Sequence, residues 1–328
     1  MFQFITNWNL FNPNKEFKKV LANIEYRGDN SDTHLTGEFS INIKDHSIRI
    51  LTVSDIAYKY CPTRRDLYFR KGSGSRAESV EHDWTRLAGM LTEDALLQFK
   101  PKNNNSPNGY SSLIESSNRT YNDYKKKKTT KIRELTSKED RTKGESTDWL
   151  LSLLKNSFKN ERAMQYLHSK LHFSSLVEQR DIKFKQEIGE NKIGISSKAE
   201  PDFIIPKLKL IGDMKTSTEM PNLIEYQLLC TGYALGYESA SKDKRQIDFG
   251  AIYFLKTKNP ISESKTVYTP QVFIFPIDDS LRERFIHERD KAYEIVSKPH
   301  KPEFPENKEK CKACRYWELC KKDGLKLI

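Results

Sequence analysis

The sequence predicts an α/β domain, on three observations. Apolar runs of strand length lie at 202–205, 208–215, 247–255 and 267–275. Longer segments with apolar residues at helical spacing lie between and around them, at 84–99, 222–237 and 280–296. At 328 residues the chain can bury a real core, as one large domain or one domain with a substantial insert.

Composition narrows the setting. Lysine and arginine total 56 against 45 acids, a formal net charge of +11. That excess favours contact with a polyanion, although a solvated basic surface would look the same. No uninterrupted apolar run is long enough to cross a bilayer. The start, Met1-Phe2-Gln3-Phe4, lacks a secretory pattern. The expectation is a cytoplasmic, reducing setting with no membrane partner. There the five cysteines read as ligands or buried thiols rather than as disulfides.

Taken in order, 17–24 suits a short helix and 36–50 one or two strands. A helix begins near 51–57 with Ser54 as its N-cap and runs towards Tyr60-Cys61-Pro62, where the proline breaks it. The 84–99 helix carries Trp84, Leu87, Ala88, Leu91, Ala95 and Phe99 as its apolar stripe. Glu93 lies on the shoulder of that stripe and His82 precedes it; each is a surface group or a metal ligand. Residues 101–109 are loop-like in composition. Lys125, Lys126, Lys127 and Lys128 form the densest basic patch, either a solvated insert or an arm gripping a phosphate backbone. Helix returns at 149–172. Extended chain follows at 173–188, then a turn at 189–191 and another strand at 193–197.

The centre of the chain is the pair 202–205 and 208–215, joined by a turn at Pro206-Lys207. Antiparallel pairing brings Asp202 and Asp213 to the same end. Lys215, two residues after Asp213, points to the same side of its strand. Two carboxylates bind hard divalent cations such as magnesium or manganese. Such an ion lowers the pKa of a bound water and stabilises an attacked phosphate, the chemistry that phosphodiester hydrolysis needs. Lys215 can orient that water, and the Met214 carbonyl can serve as a further ligand. The competing reading is two strand ends joined by ion pairs.

Thr216 to Thr218 offer a cap for the helix at 222–237. Tyr226, Cys230, Tyr233 and Tyr237 share one of its faces, with Gln227 at the border. This stripe is packing, or Gln227 and Tyr233 contact nucleic acid or metal-bound water. Cys230 reads as a core thiol. Strands at 247–255 and 267–275 and a charged amphipathic helix at 280–296 complete the domain. A proline-punctuated connector then leads to Cys311-x2-Cys314-x5-Cys320. Three thiols so close together, in a cysteine-poor chain, point to a tetrahedral site. Cys61 is the best fourth ligand. Zinc and an iron–sulfur cluster both accept four thiolates; Tyr316 and Trp317 could shield either from solvent.

One cysteine before the acid–lysine centre and three after it resemble the iron–sulfur members of the RecB-like PD-(D/E)xK nucleases, especially the Cas4 family. The Tyr60-Cys61-Pro62 stretch with Arg64 and Arg65 is similar to that family's N-terminal cysteine motif. The resemblance implies a restriction-endonuclease-like mixed sheet flanked by helices, with a helical insert and a C-terminal iron–sulfur cluster region. It implies a [4Fe-4S] cluster on Cys61, Cys311, Cys314 and Cys320, a magnesium or manganese site on Asp202 and Asp213, and an active-site lysine at Lys215. It further implies cleavage of DNA, often exonucleolytic on single-stranded ends, and integrase partners in CRISPR spacer acquisition.

Three departures from the family pattern stand out. Asp213-Met214-Lys215 replaces the commoner Glu-x-Lys. The Gly-to-His element falls on Gly89 and Glu93, so Glu93 or His82 would supply that ligand. The Gln–Tyr helix element matches Gln227 but meets Thr231, leaving Tyr233 to compensate. The expected division is an extension at 1–50, a nuclease domain at 51–321 with an insert at about 100–172, and the cysteine region at 306–328. The competing function is a non-catalytic, zinc-stabilised nucleic-acid-binding protein.

Overall fold

The structure, a computed structural model, describes residues 3–5, 50–75, 183–217, 222–240, 246–256 and 269–326. His82, Glu93, Lys125 to Lys128 and the helices expected at 17–24, 84–99 and 149–172 lie outside the described residues, as do the strands expected within 36–49.

The described strands are β1 (Gln3–Ile5), β2 (Lys183–Phe184), β3 (Phe203–Ile205), β4 (Leu210–Ser217), β5 (Phe249–Lys256) and β6 (Thr269–Pro276). They form one sheet in the order β1-β6-β5-β4-β3-β2. β4 and β5 run parallel, whereas the other neighbouring pairs are antiparallel. The result is a mixed sheet flanked by helices, broadly restriction-endonuclease-like. The described helices are α1 (Val53–Ala57), α2 (Arg65–Leu67, continuing into a π-helical turn at Tyr68–Gly72), α3 (Leu223–Ala240), α4 (Asp279–Ser297) and α5 (Trp317–Lys322). β1 was not foreseen; it pairs with β6 at the sheet edge.

The parallel step from β4 to β5 needs a crossover, and α3 supplies it. Its sequence is apolar nearly all round, as befits a helix covered on both sides. On one side Cys230, Ala234 and Tyr237 pack over Ile204, Ile211, Ile252 and Phe273 of the sheet. On the other, Leu228, Leu229 and Leu235 meet Val53, Ile56, Phe285 and Ala292 of α1 and α4. Gly232 makes the close approach feasible: a Cβ there would lie 2.3 Å from the Phe285 ring and 2.6 Å from Val53 Cγ1. Arg282 of α4, fully buried, ties the layers together. It donates to Glu238 Oε2 at 2.6 Å, to Glu238 Oε1 at 2.8 Å and to the Ile247 carbonyl at 2.9 Å.

Several local expectations need correction. Ser54 is not the N-cap of α1. Thr52 has the extended backbone a cap requires, and its Oγ1 accepts from the Asp55 amide at 3.2 Å. Asp55 Oδ2 in turn accepts from the Thr52 amide at 2.8 Å, completing a capping box. The helix also stops at Ala57, before Tyr60-Cys61-Pro62. Buried Arg64 closes it by donating to the carbonyls of Asp55 at 3.0 Å and Ile56 at 2.7 Å. The strand expected at 193–197 is a single bridge between Ile195 and Leu51, because the Asn191 side chain engages the Ile195 amide and carbonyl. Thr216 and Ser217 belong to β4 instead of capping α3; β5 pairs with them and keeps them extended.

Candidate active site and cysteine clasp

The β3–β4 hairpin builds the acid site. A short 3-10 turn at Pro206–Leu208 reverses the chain, with Lys209 in the left-handed region at φ 51°. The register pairs Phe203 with Gly212, so Asp202 and Asp213 follow at the same end, as the sequence predicts. Gly212 is required there, because a Cβ would lie 2.0 Å from the Phe203 ring. β3 is shorter than β4, and the Asp202 carboxylate takes over where β3 ends. Its Oδ2 accepts the Met214 amide at 2.6 Å.

Both acids are buried. Lys215 Nζ lies 2.5 Å from Asp213 Oδ2 and donates to the Met214 carbonyl at 3.1 Å. Asp213 Oδ2 nonetheless has no hydrogen bond of standard geometry among the described residues. A buried carboxylate oxygen with spare lone pairs, beside a second buried acid, fits a divalent cation. Burial pushes the Asp213 carboxyl up to about 6; Lys215 opposes that shift and the Asp202 charge adds to it. Lys185, not singled out from sequence, ion-pairs with Asp202 Oδ1. A lysine in the bend just after a two-residue strand carries no pattern that marks it. Among the described residues, no group of three or more His, Cys, Asp or Glu side chains forms a metal-binding cluster.

Aromatic side chains frame this site. Tyr226 of α3 lies beside Lys215, with Nζ 6.0 Å from its ring centre. Tyr58 meets Tyr226 edge-on at 5.6 Å. Burial raises the hydroxyls of Tyr58, Tyr226 and Tyr233, that of Tyr226 to about 12, and the Asp213 charge contributes to each shift. Tyr233 packs against both cores. Gln227 is buried on α3, and its carbonyl accepts the Thr231 hydroxyl at 2.7 Å. Thr231 is therefore engaged within its own helix. Cys230 is a core thiol, 0% exposed, facing the Ala251 carbonyl at 3.7 Å.

The cysteines expected as ligands come from two segments. Cys61 lies between α1 and α2, and Cys311 in a 3-10 turn at Glu309–Ala313. The Cys314 amide bonds back to the Cys311 carbonyl at 3.0 Å, and Cys320 sits in α5. All four thiols are free and half-buried. Burial raises the thiols of Cys311, Cys314 and Cys320, Cys314 to about 11, and proximity to Cys61 raises each further. Each of these three thiols thus senses Cys61 across the chain, although among the described residues the four do not form a metal-binding cluster. Four sulfurs from two segments match the donor set of a tetrathiolate group, whose binding displaces the thiol protons. Cys314 and Cys320 pack on a nest of Tyr68, Phe69 and Tyr316, with Tyr316 stacked on Phe69 at 5.7 Å.

Arg64 and Arg65 are both buried and act as braces. Arg64 donates to Glu288 Oε2 at 2.9 Å. Arg65 pairs with Asp323 at 2.5 Å and lies 4.4 Å from the Phe304 ring centre.

The sequence model of the family described as CRISPR-associated exonuclease Csa1 matches residues 25–323. A protein of Saccharolobus solfataricus with the same description is 32% identical over 121 residues, 36% of this chain and 36% of that protein. The alignment therefore spans about a third of the length of that curated relative. The motifs resemble Cas4, whereas the matching family is Csa1. Among the described residues, no helix is long and apolar enough to cross a membrane.

Proposed function

The chain belongs to the CRISPR-associated exonuclease Csa1 family, and we propose on that premise that it is a divalent-metal-dependent deoxyribonuclease. It acts exonucleolytically on single-stranded DNA ends in CRISPR adaptation, with integrase proteins as partners. The observation that carries this reading is the hairpin, which buries Asp202 beside Asp213 and sets Lys215 2.5 Å from the latter. A magnesium or manganese ion held by Asp202, Asp213 and the Met214 carbonyl would supply Lewis acidity and an activated water. Lys215 offsets charge on the attacked phosphate and holds the attacking water. Asp213, titrating near 6, is largely ionised at neutral pH and ready to serve as a ligand. Lys185 neutralises Asp202 when no cation is held, and yields it on binding. Gln227 and Tyr233, one helix away, position the substrate. Glu93 or His82 supplies a further ligand, and Lys125 to Lys128 grip the phosphate backbone.

Cys61, Cys311, Cys314 and Cys320 hold a structural [4Fe-4S] cluster in this reading. The support is the ligand-like spacing of Cys311, Cys314 and Cys320, the electrostatic coupling of each to Cys61, and an aromatic nest that covers Cys314 and Cys320. A second reading has its own observation: lysines pair with both acids, as a non-catalytic, zinc-stabilised nucleic-acid-binding protein would also allow.

Two measurements decide. Cleavage of end-labelled single-stranded DNA should require manganese or magnesium and disappear in Asp213→Ala; unchanged activity in that variant rejects the site. Anaerobically purified protein should contain iron and sulfide, whereas stoichiometric zinc without iron rejects the cluster.

A further inference from the structure

Among the described residues, Tyr60 and Ile50 are the large hydrophobic side chains left exposed. Tyr60 is 65% exposed, although its neighbours Tyr58 and Tyr226 are at least partly buried. Its ring lies 5.8 Å from that of Tyr58 at 45°, and Tyr58 meets Tyr226 edge-on at 5.6 Å. The three rings form a continuous row from the surface to Lys215, which lies 6.0 Å from the Tyr226 ring centre. At 65% exposure, much of the Tyr60 ring itself is open to solvent. Beneath it, the Tyr58 hydroxyl is buried with no hydrogen-bond partner among the described residues, and Asp213 is close enough to affect its charge.

A π-face held open to solvent at the rim of a buried acid–lysine site, with cations behind it, suits one kind of ligand. Nucleobases stack on aromatic rings whatever their sequence, and the cations attract the phosphates that link them. A solitary exposed tyrosine needs no such explanation, but this one continues a row of rings that ends at the site. Ring-on-ring packing also fixes Tyr60 at little further entropic cost when a base arrives.

We propose that Tyr60 is a base-stacking platform that receives an unpaired nucleotide of a single strand beside the Asp202–Asp213–Lys215 site, backed by Tyr58 and Tyr226. This rests on the nuclease reading only for the identity of the strand; the contact itself is a binding function and is measurable without cleavage.

The test uses the full chain in EDTA and two fluorescein-labelled single strands of equal length. One is an ordinary oligodeoxynucleotide, and its twin carries abasic sites throughout. Tyr60→Ala should weaken binding of the ordinary strand by about 5- to 150-fold, the span for loss of one base–aromatic stack. Binding of the abasic twin should be unchanged, and Tyr60→Trp should restore affinity for the ordinary strand. Equal loss on both strands would overturn the proposal, since a change in folding or charge would produce it. Unchanged affinity in Tyr60→Ala, or no binding by the wild-type chain, would overturn it too. If the wild-type chain binds in this base-dependent way yet never cleaves with magnesium or manganese, the catalytic reading fails and the platform stands. Cleavage with no dependence of binding on Tyr60 has the reverse meaning.

Discussion

The acid site and the cysteine clasp are built on opposite plans. Asp202, Asp213 and Lys215 come from one hairpin, so a three-residue reversal at Pro206–Leu208 is enough to juxtapose them. Cys61 and the Cys311, Cys314 and Cys320 group lie on either side of β2 to β6, α3 and α4 in the chain, so only tertiary packing can draw them towards one another. The hairpin meets most of its charge from within, through Lys215 and the Met214 amide, and Lys185 joins from the chain just after β2. The clasp depends on braces from elsewhere: Arg64 to Glu288 on α4, and Arg65 to Asp323 beyond α5. Damage near the hairpin should therefore be read in activity, and damage near the clasp in stability.

The sharpest way to break that contrast is Glu288→Ala. It leaves the Arg64 guanidinium, 4% exposed, without its Glu288 carboxylate and held by the Asp55 and Ile56 carbonyls, and should cost about 3–5 kcal/mol by denaturant unfolding. Once folded, the variant should retain the hairpin site. The wild-type chain should show the same dependence with pH. Burial alone would raise the Glu288 carboxyl, but hydrogen bonds from Lys59 and Arg64 outweigh it and hold the group below the ordinary glutamate value. For an acid so depressed, the stabilisation is present above the unfolded value, roughly 4.3, and is lost as pH falls through the folded one. Acid unfolding of the wild-type chain should show this step, and Glu288→Ala should lack it.

Next in size is Lys215→Gln. Loss of the ammonium beside Asp213 should lower cleavage by about 10²- to 10³-fold, the range for removing one group that stabilises transition-state charge. The melting temperature should barely move; a large fall would mean that the site also supports the fold.

Gly212→Ala tests whether the hairpin is tuned by packing. The new methyl collides with the Phe203 ring next to Asp202. The expected cost is about 1–3 kcal/mol, with activity reduced. Adding Phe203→Ala should relieve the collision and recover part of both; no recovery would place the damage elsewhere. The smallest effect is expected at the start of the clasp side. Thr52→Ala removes half of the α1 capping box and should cost about 0.5–2 kcal/mol in thermal unfolding, with cleavage unchanged.

What sequence determined by itself follows from range. The strand runs at 202–205 and 208–215, the helix at 222–237 and the ligand spacing of Cys311, Cys314 and Cys320 are local patterns, and pleat and helical period fix which side chains share a face. That suffices to set Asp202 beside Asp213 with Lys215 on the same side. The grouping of Cys61 with the distant three came from needing a fourth thiol in a cysteine-poor chain, and the resemblance added to it; no local pattern encodes it. Other features were decided by contacts that no local pattern encodes. Thr52 displaces Ser54 as cap because Asp55 returns its hydrogen bond, and Gln3–Ile5 join the sheet because β6 leaves an edge for them. Arg64 and Arg65, basic residues of the kind that read as surface, are buried because Glu288, Asp323 and backbone carbonyls meet them. Lys185 reaches Asp202, and Tyr58 and Tyr60 line up with Tyr226, only once β2 and the chain after α1 have docked. Tertiary structure chose these because burying a charge or a ring is favourable only where a partner, supplied from far along the chain, is already in place.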